Sequence, residues 1–389
     1  MKIAFSTMGD ERWVAGEVIV RNLLLTIREL GLPDVTLTML AHESANRELI
    51  QTRYSADEYL YYPKPRRFTA EWVATRISAR VLHADRVLER FMQRHGIDVF
   101  FGSCLEYPYH RAATLSWIPD FQHKHLPALF SAEERQHRDR AFAHTAQVSS
   151  RVILLSHAVA ADFTAQFPRQ ASKARVLSPI TRVPPRVYDA DPAAAASRYH
   201  LPERFFYVPN QFWAHKNHER LFEAVRDLRD RGTSVNVVCT GYPVDYRNPT
   251  HFAGLWEKIA RWGIGSRVTY LGLIPHDDVL ALVRQSICVV NPSTFEGWGI
   301  GIDEARSVGK RILASSVPAH REQAPPATIY FDPQSTADLA AKLSQIWVEA
   351  TPGPDAELEA AARAALPGRL REYGRNFVEV AREACRDRN

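Results

Sequence analysis

Short apolar runs alternate with amphipathic stretches along the whole chain, and the alternation falls into two cycles. In the first half, runs near 2–7, 35–40, 97–101, 114–118, 151–155 and 174–177 read as strands. Segments 17–30, 69–95, 133–147 and 156–166 carry helical composition and spacing. From Phe205 a second cycle begins, with strands near 205–208, 235–239, 267–270, 287–290, 311–314 and 328–331 separated by helical candidates. Strands alternating with helices predict parallel sheets covered by helices on both faces. The fold class is therefore α/β, with two Rossmann-like domains. Val183 to Pro192 is crowded with prolines, and we expect an irregular linker there, followed by a short helix over 193–199. The expected division is 1–182, a linker at 183–203, a second domain at 204–370, and a terminal helix at 371–389 that returns to the first domain. Within Pro354 to Arg388 the helix is expected to break near Pro367-Gly368.

Open α/β sheets bind ligands beyond the carboxyl ends of their strands. Two such domains facing each other would leave a cleft, with loops from both halves lining it. At 389 residues the chain has room for two cores, and 46% hydrophobic with 24% charged residues is an ordinary globular balance. The four cysteines, Cys104, Cys239, Cys288 and Cys385, make neither a C-x-x-C pair nor a ligand cluster with histidine. A disulfide framework and a structural zinc site are thereby disfavoured. Met1-Lys-Ile-Ala-Phe-Ser6 enters a strand pattern at once, and no apolar run approaches the ~20 residues that span a bilayer. A cytoplasmic location is expected. The net charge of +5 admits anionic substrates, a membrane surface or nucleic acid, but no nucleic-acid recognition motif accompanies it.

The chemistry concentrates in Asn291-Pro-Ser-Thr-Phe-Glu-Gly-Trp-Gly-Ile-Gly-Ile-Asp-Glu304, which follows the apolar run Ser286–Val290. Glu296 and Glu304 flank Gly297, Gly299 and Gly301. Glycines permit close backbone approach, and the N-terminus of a following helix offers free N–H groups to phosphate. A carboxylate accepts two hydrogen bonds at once, which suits Glu304 to a vicinal ribose diol. Lys216 begins a helix, a poor place for a structural cation. An ammonium there could neutralise a departing diphosphate. Without the surrounding motif, each of these residues has an ordinary reading as a solvated or locally capped side chain.

The same stretch resembles the E-x7-E signature of family 4 glycosyltransferases, which have the GT-B fold. Phe206 to His218 resembles that family's strand-loop-lysine segment, Thr269-Tyr-Leu-Gly-Leu-Ile-Pro275 its nucleotide-side loop, and Gly309 to Ser315 its next strand. In the first half, Trp13-Val-Ala-Gly16, Trp117 to His123 and Ile153 to Ser156 carry a looser likeness. The resemblance implies a retaining, metal-independent glycosyltransferase with no cofactor. It would move a sugar from a nucleoside diphosphate sugar to a hydroxyl of a glycan or polyprenyl-linked acceptor, in bacterial surface polysaccharide or lipopolysaccharide assembly. Glu296, Lys216 and His123 are the catalytic candidates it implies, with His123 facing the donor sugar and Asp120 on the acceptor side or orienting the histidine. Gly16, Gln211, Gly297, Trp298, Gly299, Ile300 and Glu304 are the donor-binding candidates, and no metal site is expected.

One departure from the family pattern stands out. Where an arginine often precedes the lysine by five residues, this chain has the uncharged Gln211, so either another cation such as Arg12 or His215 helps with the phosphates, or Lys216 and helix N-termini suffice. Residues 69–95 place Val73, Ile77, Val81, Leu88 and Met92 on one stripe and Arg76, Arg80, His83, Arg90 and Arg94 on another. With Tyr59, Tyr61, Tyr62, Lys64, Arg66 and Arg67 upstream, this region is a candidate peripheral contact with anionic lipid at the inner membrane face. A solvated flank is the commoner meaning of such arginines. Two other functions stay open: another sugar-nucleotide enzyme on the same fold, such as an epimerase or phosphorylase, and a non-catalytic partner that binds glycan or stabilises a complex.

Overall fold

The structure, a computed structural model, describes residues 1–8, 14–63, 69, 85–105 and 107–387. The chain divides into two compact units: Met1–Phe121, Ser131–Ile180 and Gly368–Asn389 in the first, Gln122–Phe130 and Thr181–Pro367 in the second.

Among the described residues, the first unit holds a seven-stranded parallel sheet. Its strands are β1 (Lys2–Ser6), β2 (Thr36–His42), β3 (Glu58–Tyr62), β4 (Val99–Ser103), β5 (Ala113–Ile118), β6 (Arg151–Leu154) and β7 (Ala174–Val176), in the order β3-β2-β1-β4-β5-β6-β7. The second unit has six parallel strands: β8 (Phe206–Pro209), β9 (Val237–Thr240), β10 (Val268–Tyr270), β11 (Cys288–Asn291), β12 (Ile312–Ser315) and β13 (Thr328–Phe331). Their order, β10-β9-β8-β11-β12-β13, reverses direction between β8 and β11. Here Cys288 pairs with Phe206 and Val289 with Tyr207. Strands buried on both faces explain the continuous apolar runs: Val237–Thr240, Cys288–Asn291 and Ile312–Ser315 are buried at every position. Phe206, Val208, Leu221, Phe222, Leu313 and Leu343 are central to this unit's core.

Three sequence expectations are corrected. β3 pairs with β2, Thr38 opposite Glu58, where the sequence suggested only aromatic residues flanking a basic stretch. As an edge strand half-buried throughout, it lacks the apolar run that betrays the others. The proline-rich segment is not irregular: Pro185–Asp189 is a short helix, and the expected short helix follows it at Pro192–Arg198, each opened by its proline. A proline in the first turn loses no hydrogen bond and arrives with helical φ. Finally, the helix expected to break at Pro367-Gly368 runs through from Ala356 to Arg386 with Pro367 inside it. The boundary between the two units nevertheless falls between Pro367 and Gly368.

In the region expected to carry a basic face, the described helix Arg86–Arg94 is capped by Asp85, whose carboxylate accepts from Leu88 N at 3.0 Å. Leu88 and Met92 are buried and Arg90 and Arg94 exposed. Lys64, Arg66, Arg67, Val73, Arg76, Ile77, Arg80, Val81 and His83 lie outside the described residues. No helix among the described residues is long and apolar enough to cross a membrane.

The last turns of the long helix complete the first unit. Phe377, fully buried, stacks on Phe5 at 5.4 Å and meets Phe101 edge-on at 5.3 Å. Glu383 pairs with both Arg151 and Arg175, which with burial opposing holds its carboxyl down at about 2. Phe377→Ala is expected to destabilise the protein by about 3–5 kcal/mol through the cavity it leaves between β1, β4 and the helix. Urea denaturation followed by circular dichroism checks this.

Candidate functional site

Both glutamate- and lysine-bearing loops leave carboxyl ends of adjacent strands at the point where the second unit's strand order reverses. In open α/β sheets this reversal opens a crevice. After β8 the chain runs through Asn210, Gln211, Phe212 and Trp213 into a tight turn at Ala214–Lys216. Gly241 makes this path possible: its φ is +135°, and a Cβ there would lie 2.3 Å from the Asn210 carbonyl oxygen. Phe212 N then donates to Tyr242 O at 3.0 Å. Asn217 adopts the left-handed conformation, φ 58° and ψ 35°, and its Nδ2 donates to the carbonyls of Pro292 (3.0 Å) and Pro333 (3.3 Å). Thr294 N donates to His215 O at 2.8 Å. These bonds lock the lysine turn against the loop after β11.

The locking brings Lys216 Nζ to 2.6 Å from Glu296 Oε1, with the two side chains only 15% and 8% exposed. Ser293 Oγ lies 2.6 Å from the same Oε1 and 2.8 Å from Asn291 Oδ1, so its single proton serves one oxygen at a time. Burial pushes the Glu296 carboxyl up, but Lys216 and the Ser293 hydroxyl outweigh it and hold the group below its ordinary value.

Gly299, at φ +96°, is the turn into helix Ile300–Val308, which has no side-chain N-cap. Ile302 N donates back to Gly299 O at 3.0 Å, and the amides of Ile300 and Gly301 have no acceptor in a preceding turn of the helix. A Cβ at Gly299 would sit 3.2 Å from His320 Cδ2 and Nε2. His320 is buried, and its Nδ1, 2.9 Å from Ser315 O, must carry the proton because a carbonyl only accepts. Burial holds its pKa down to about 4, so the ring is neutral. Gln323 Nε2 donates to the carbonyls of Trp298 (2.6 Å) and Gly299 (3.1 Å), and Trp298 is itself buried. Helix Pro318–Gln323 thus clamps the glycine turn from behind. Of the adjacent carboxylates, Asp303 accepts from the Thr181 amide and fastens the chain, while Glu304 Oε1 meets His276 Nε2 at 2.9 Å.

The remaining candidates separate by unit. Gly16 belongs to helix Val14–Glu29, and Asp120 lies 4.0 Å from Arg138, both in the first unit. His123 is buried and meets Phe130 edge-on at 6.2 Å; with Gln122–Phe130 it groups in the second unit. His125 is exposed, its ring 5.0 Å from that of Phe295 in the glutamate loop. Gln211 is half-buried in the lysine loop. Of the two alternative cations, Arg12 lies outside the described residues, and His215 is no cation at neutral pH. Burial, with Lys216 and Arg247 nearby, holds its pKa well below the ordinary value. The cation beside it is Arg247, whose Nη2 is 3.3 Å from His215 Nδ1 and whose Nη1 donates to Gln122 Oε1 at 2.7 Å. Asp245 balances Arg247, with Nε to Oδ1 at 2.9 Å.

Sequence reasoning missed His276, Arg247, His320 and Gln323. The first directly follows Pro275 of the quoted nucleotide-side segment, which was a usable hint; the others sit in no motif. The described residues contain no group of three or more histidine, cysteine or acidic side chains that could hold a metal ion.

Comparison with known proteins agrees with this architecture. Residues 195–363 match the family model described as glycosyl transferases group 1. The curated O-antigen chain mannosyltransferase B of Escherichia coli is 31% identical over 91 residues, which span 23% of this chain and 24% of that protein. Among solved structures, a glycosyltransferase from Rickettsia africae superposes with a TM-score of 0.69 at 14% identity, covering 98% of both chains. HepE of Anabaena, solved with UDP and glucose, gives 0.69 at 16% identity, covering 98% of this chain and all of that one. WaaG, a glycosyltransferase involved in lipopolysaccharide biosynthesis, gives 0.59 at 16% identity over 98% of each. The chain therefore has the GT-B fold: two parallel-sheet, Rossmann-like units with a C-terminal helix. Its second unit carries the segment that matches group 1 glycosyltransferases.

Two expectations follow from the geometry. Lys216→Met strands the buried Glu296 carboxylate and should cost about 3 kcal/mol at pH 7. A carboxyl held below its ordinary 4.5 in the folded state contributes stability above that value and loses it as pH falls through the folded pKa. The stability gap between the variant and wild type should therefore narrow below pH 4.5, as urea titrations at pH 7 and pH 4 would reveal. Gly299→Ala must hold an L side chain at φ +96° against His320, and should lower stability by about 1–3 kcal/mol in the same assay.

Proposed function

We propose that the protein is a hexosyltransferase of the family 4 type. It moves a sugar from a nucleoside diphosphate sugar to a hydroxyl of a glycan or polyprenyl-linked acceptor, with retention of anomeric configuration and without a metal. The observation that carries this reading is the meeting of Lys216, Glu296 and the uncapped N-terminus of helix Ile300–Val308 where the strand order reverses. A diphosphate is recognised by an ammonium and free helix amides together. Glu304 receives the ribose, and Glu296 the sugar and the positive charge growing at its anomeric carbon. As the bond from that carbon to the diphosphate oxygen breaks, the acceptor oxygen bonds to the same face and its proton passes to the departing phosphate. Lys216 stabilises charge that appears only as the bond breaks, so it lowers the barrier rather than merely tightening binding.

The names of the similar proteins favour surface-polysaccharide assembly: one acts on O-antigen chains, another in lipopolysaccharide biosynthesis. We place the reaction in the cytoplasm, with the acceptor presented at the inner membrane face. The 59–95 region remains our candidate for contact with that surface.

The test is transfer from a panel of nucleoside diphosphate hexoses to short glycan and polyprenyl-linked acceptors, read by mass spectrometry. Lys216→Ala should lower kcat by about 10²–10³-fold. Glu304→Ala should chiefly raise the donor KM. Epimerised or phosphorolysed donor without a glycosylated acceptor would redirect the assignment to another sugar-nucleotide enzyme. Glycan binding without nucleotide binding would mark a non-catalytic partner.

A further inference from the structure

Glu304 is nearly buried, its side chain 11% exposed, yet among the described residues its hydrogen-bond partner is His276 alone. A carboxylate offers about four lone-pair positions. One is filled by His276 Nε2 at 2.9 Å, and a nearly buried carboxylate is expected to fill more. Neighbouring groups are committed elsewhere. The Tyr207 hydroxyl pairs with Thr240 Oγ1 at 2.7 Å, and Asp303 binds the Thr181 amide. Next to His276, Asp277 pairs with Arg186, and Asp278 with Arg198 and Tyr199. His276 opens helix His276–Gln285 directly after Pro275, so its backbone is fixed where the loop after β10 ends.

We propose that His276 is a positioning residue that makes the nucleotide pocket selective for a ribonucleoside over its 2′-deoxy counterpart. The inference rests on the reading of Glu304 as the ribose acceptor. A carboxylate can only accept, so His276 Nε2 carries the proton, and this bond fixes the rotation of the carboxylate plane. Both oxygens then keep a lone pair for the two hydroxyls of a ribose. The His276 side chain is 42% exposed, where an ion pair or hydrogen bond adds little to folding. Its effect belongs to the ligand. A site built to bind a hydroxyl rejects the analogue lacking it, because the acceptor is then left unpaired.

The experiment titrates wild type, His276→Ala, His276→Gln and Glu304→Ala with UDP, GDP and ADP by calorimetry, and with the 2′-deoxy form of whichever binds best. Glutamine places an amide N–H near the position of Nε2. Wild type should prefer the ribonucleotide by about tenfold or more. His276→Ala should bring that ratio near unity with the deoxynucleotide affinity little changed, and His276→Gln should restore most of it. A ratio unchanged in His276→Ala, or equal weakening of both nucleotides, overturns the positioning role. If Glu304→Ala keeps the wild-type ratio, or wild type binds none of the nucleotides, the assignment of Glu304 to ribose fails first and the role of His276 falls with it. Thermal melting of each variant separates these outcomes from misfolding.

Discussion

The ion pair between Lys216 and Glu296 ties together loops from two strands 80 residues apart in sequence, and much of the local architecture depends on it. A lone ammonium at the mouth of a helix, or a lone carboxylate in the sheet's crevice, would each cost desolvation energy without return. Together they can be kept nearly buried. The backbone is built to hold them so: Asn217 in a left-handed turn fastens the lysine loop to two carbonyls, and Thr294 fastens the glutamate loop to His215. The cation is thereby stored in place, matched to a partner it can share when a second anion arrives.

Around that pair, charge is distributed with economy. Three histidines close to it, His215, His218 and His320, are all held neutral by burial. Lys216 and Arg247 thus carry formal positive charge beside the lysine turn, the latter balanced by Asp245. Arg247 also lies over the rings of Phe130, Trp213 and Tyr246, so it cements three segments. Its bond to Gln122 carries that cement into the stretch containing His123.

The fold class was readable because apolar runs and amphipathic stretches alternate at fixed spacing, and burial on both faces of a parallel sheet imposes that alternation. All twelve of the strands foreseen appear within a residue or two, as β12 at Ile312–Ser315 does against 311–314. β3 was hidden because an edge strand with one sheltered face need not be apolar throughout. The prolines of 184–192 misled because their meaning depends on position: they break a helix from within and favour it from the first turn. Lys216, Glu296 and Glu304 were legible as a motif, since glycines and carboxylates at fixed separation are a local pattern. His276, His320, Gln323 and Arg247 were not, because each matters through a neighbour far along the chain, and a pairing of that kind leaves no mark in local spacing.

The long helix Ala356–Arg386 has a consequence for how the molecule is made. The first unit begins at Met1 yet needs the residues after Gly368, where Phe377 closes over Phe5 and Phe101. The second unit lies wholly between Gln122 and Pro367. On the ribosome, domains ordinarily mature from the N-terminus onward. In this chain the order is inverted: the second unit has all of its residues first, and the unit that emerged earlier waits, with an aromatic face uncovered, for the helical turns beyond Gly368.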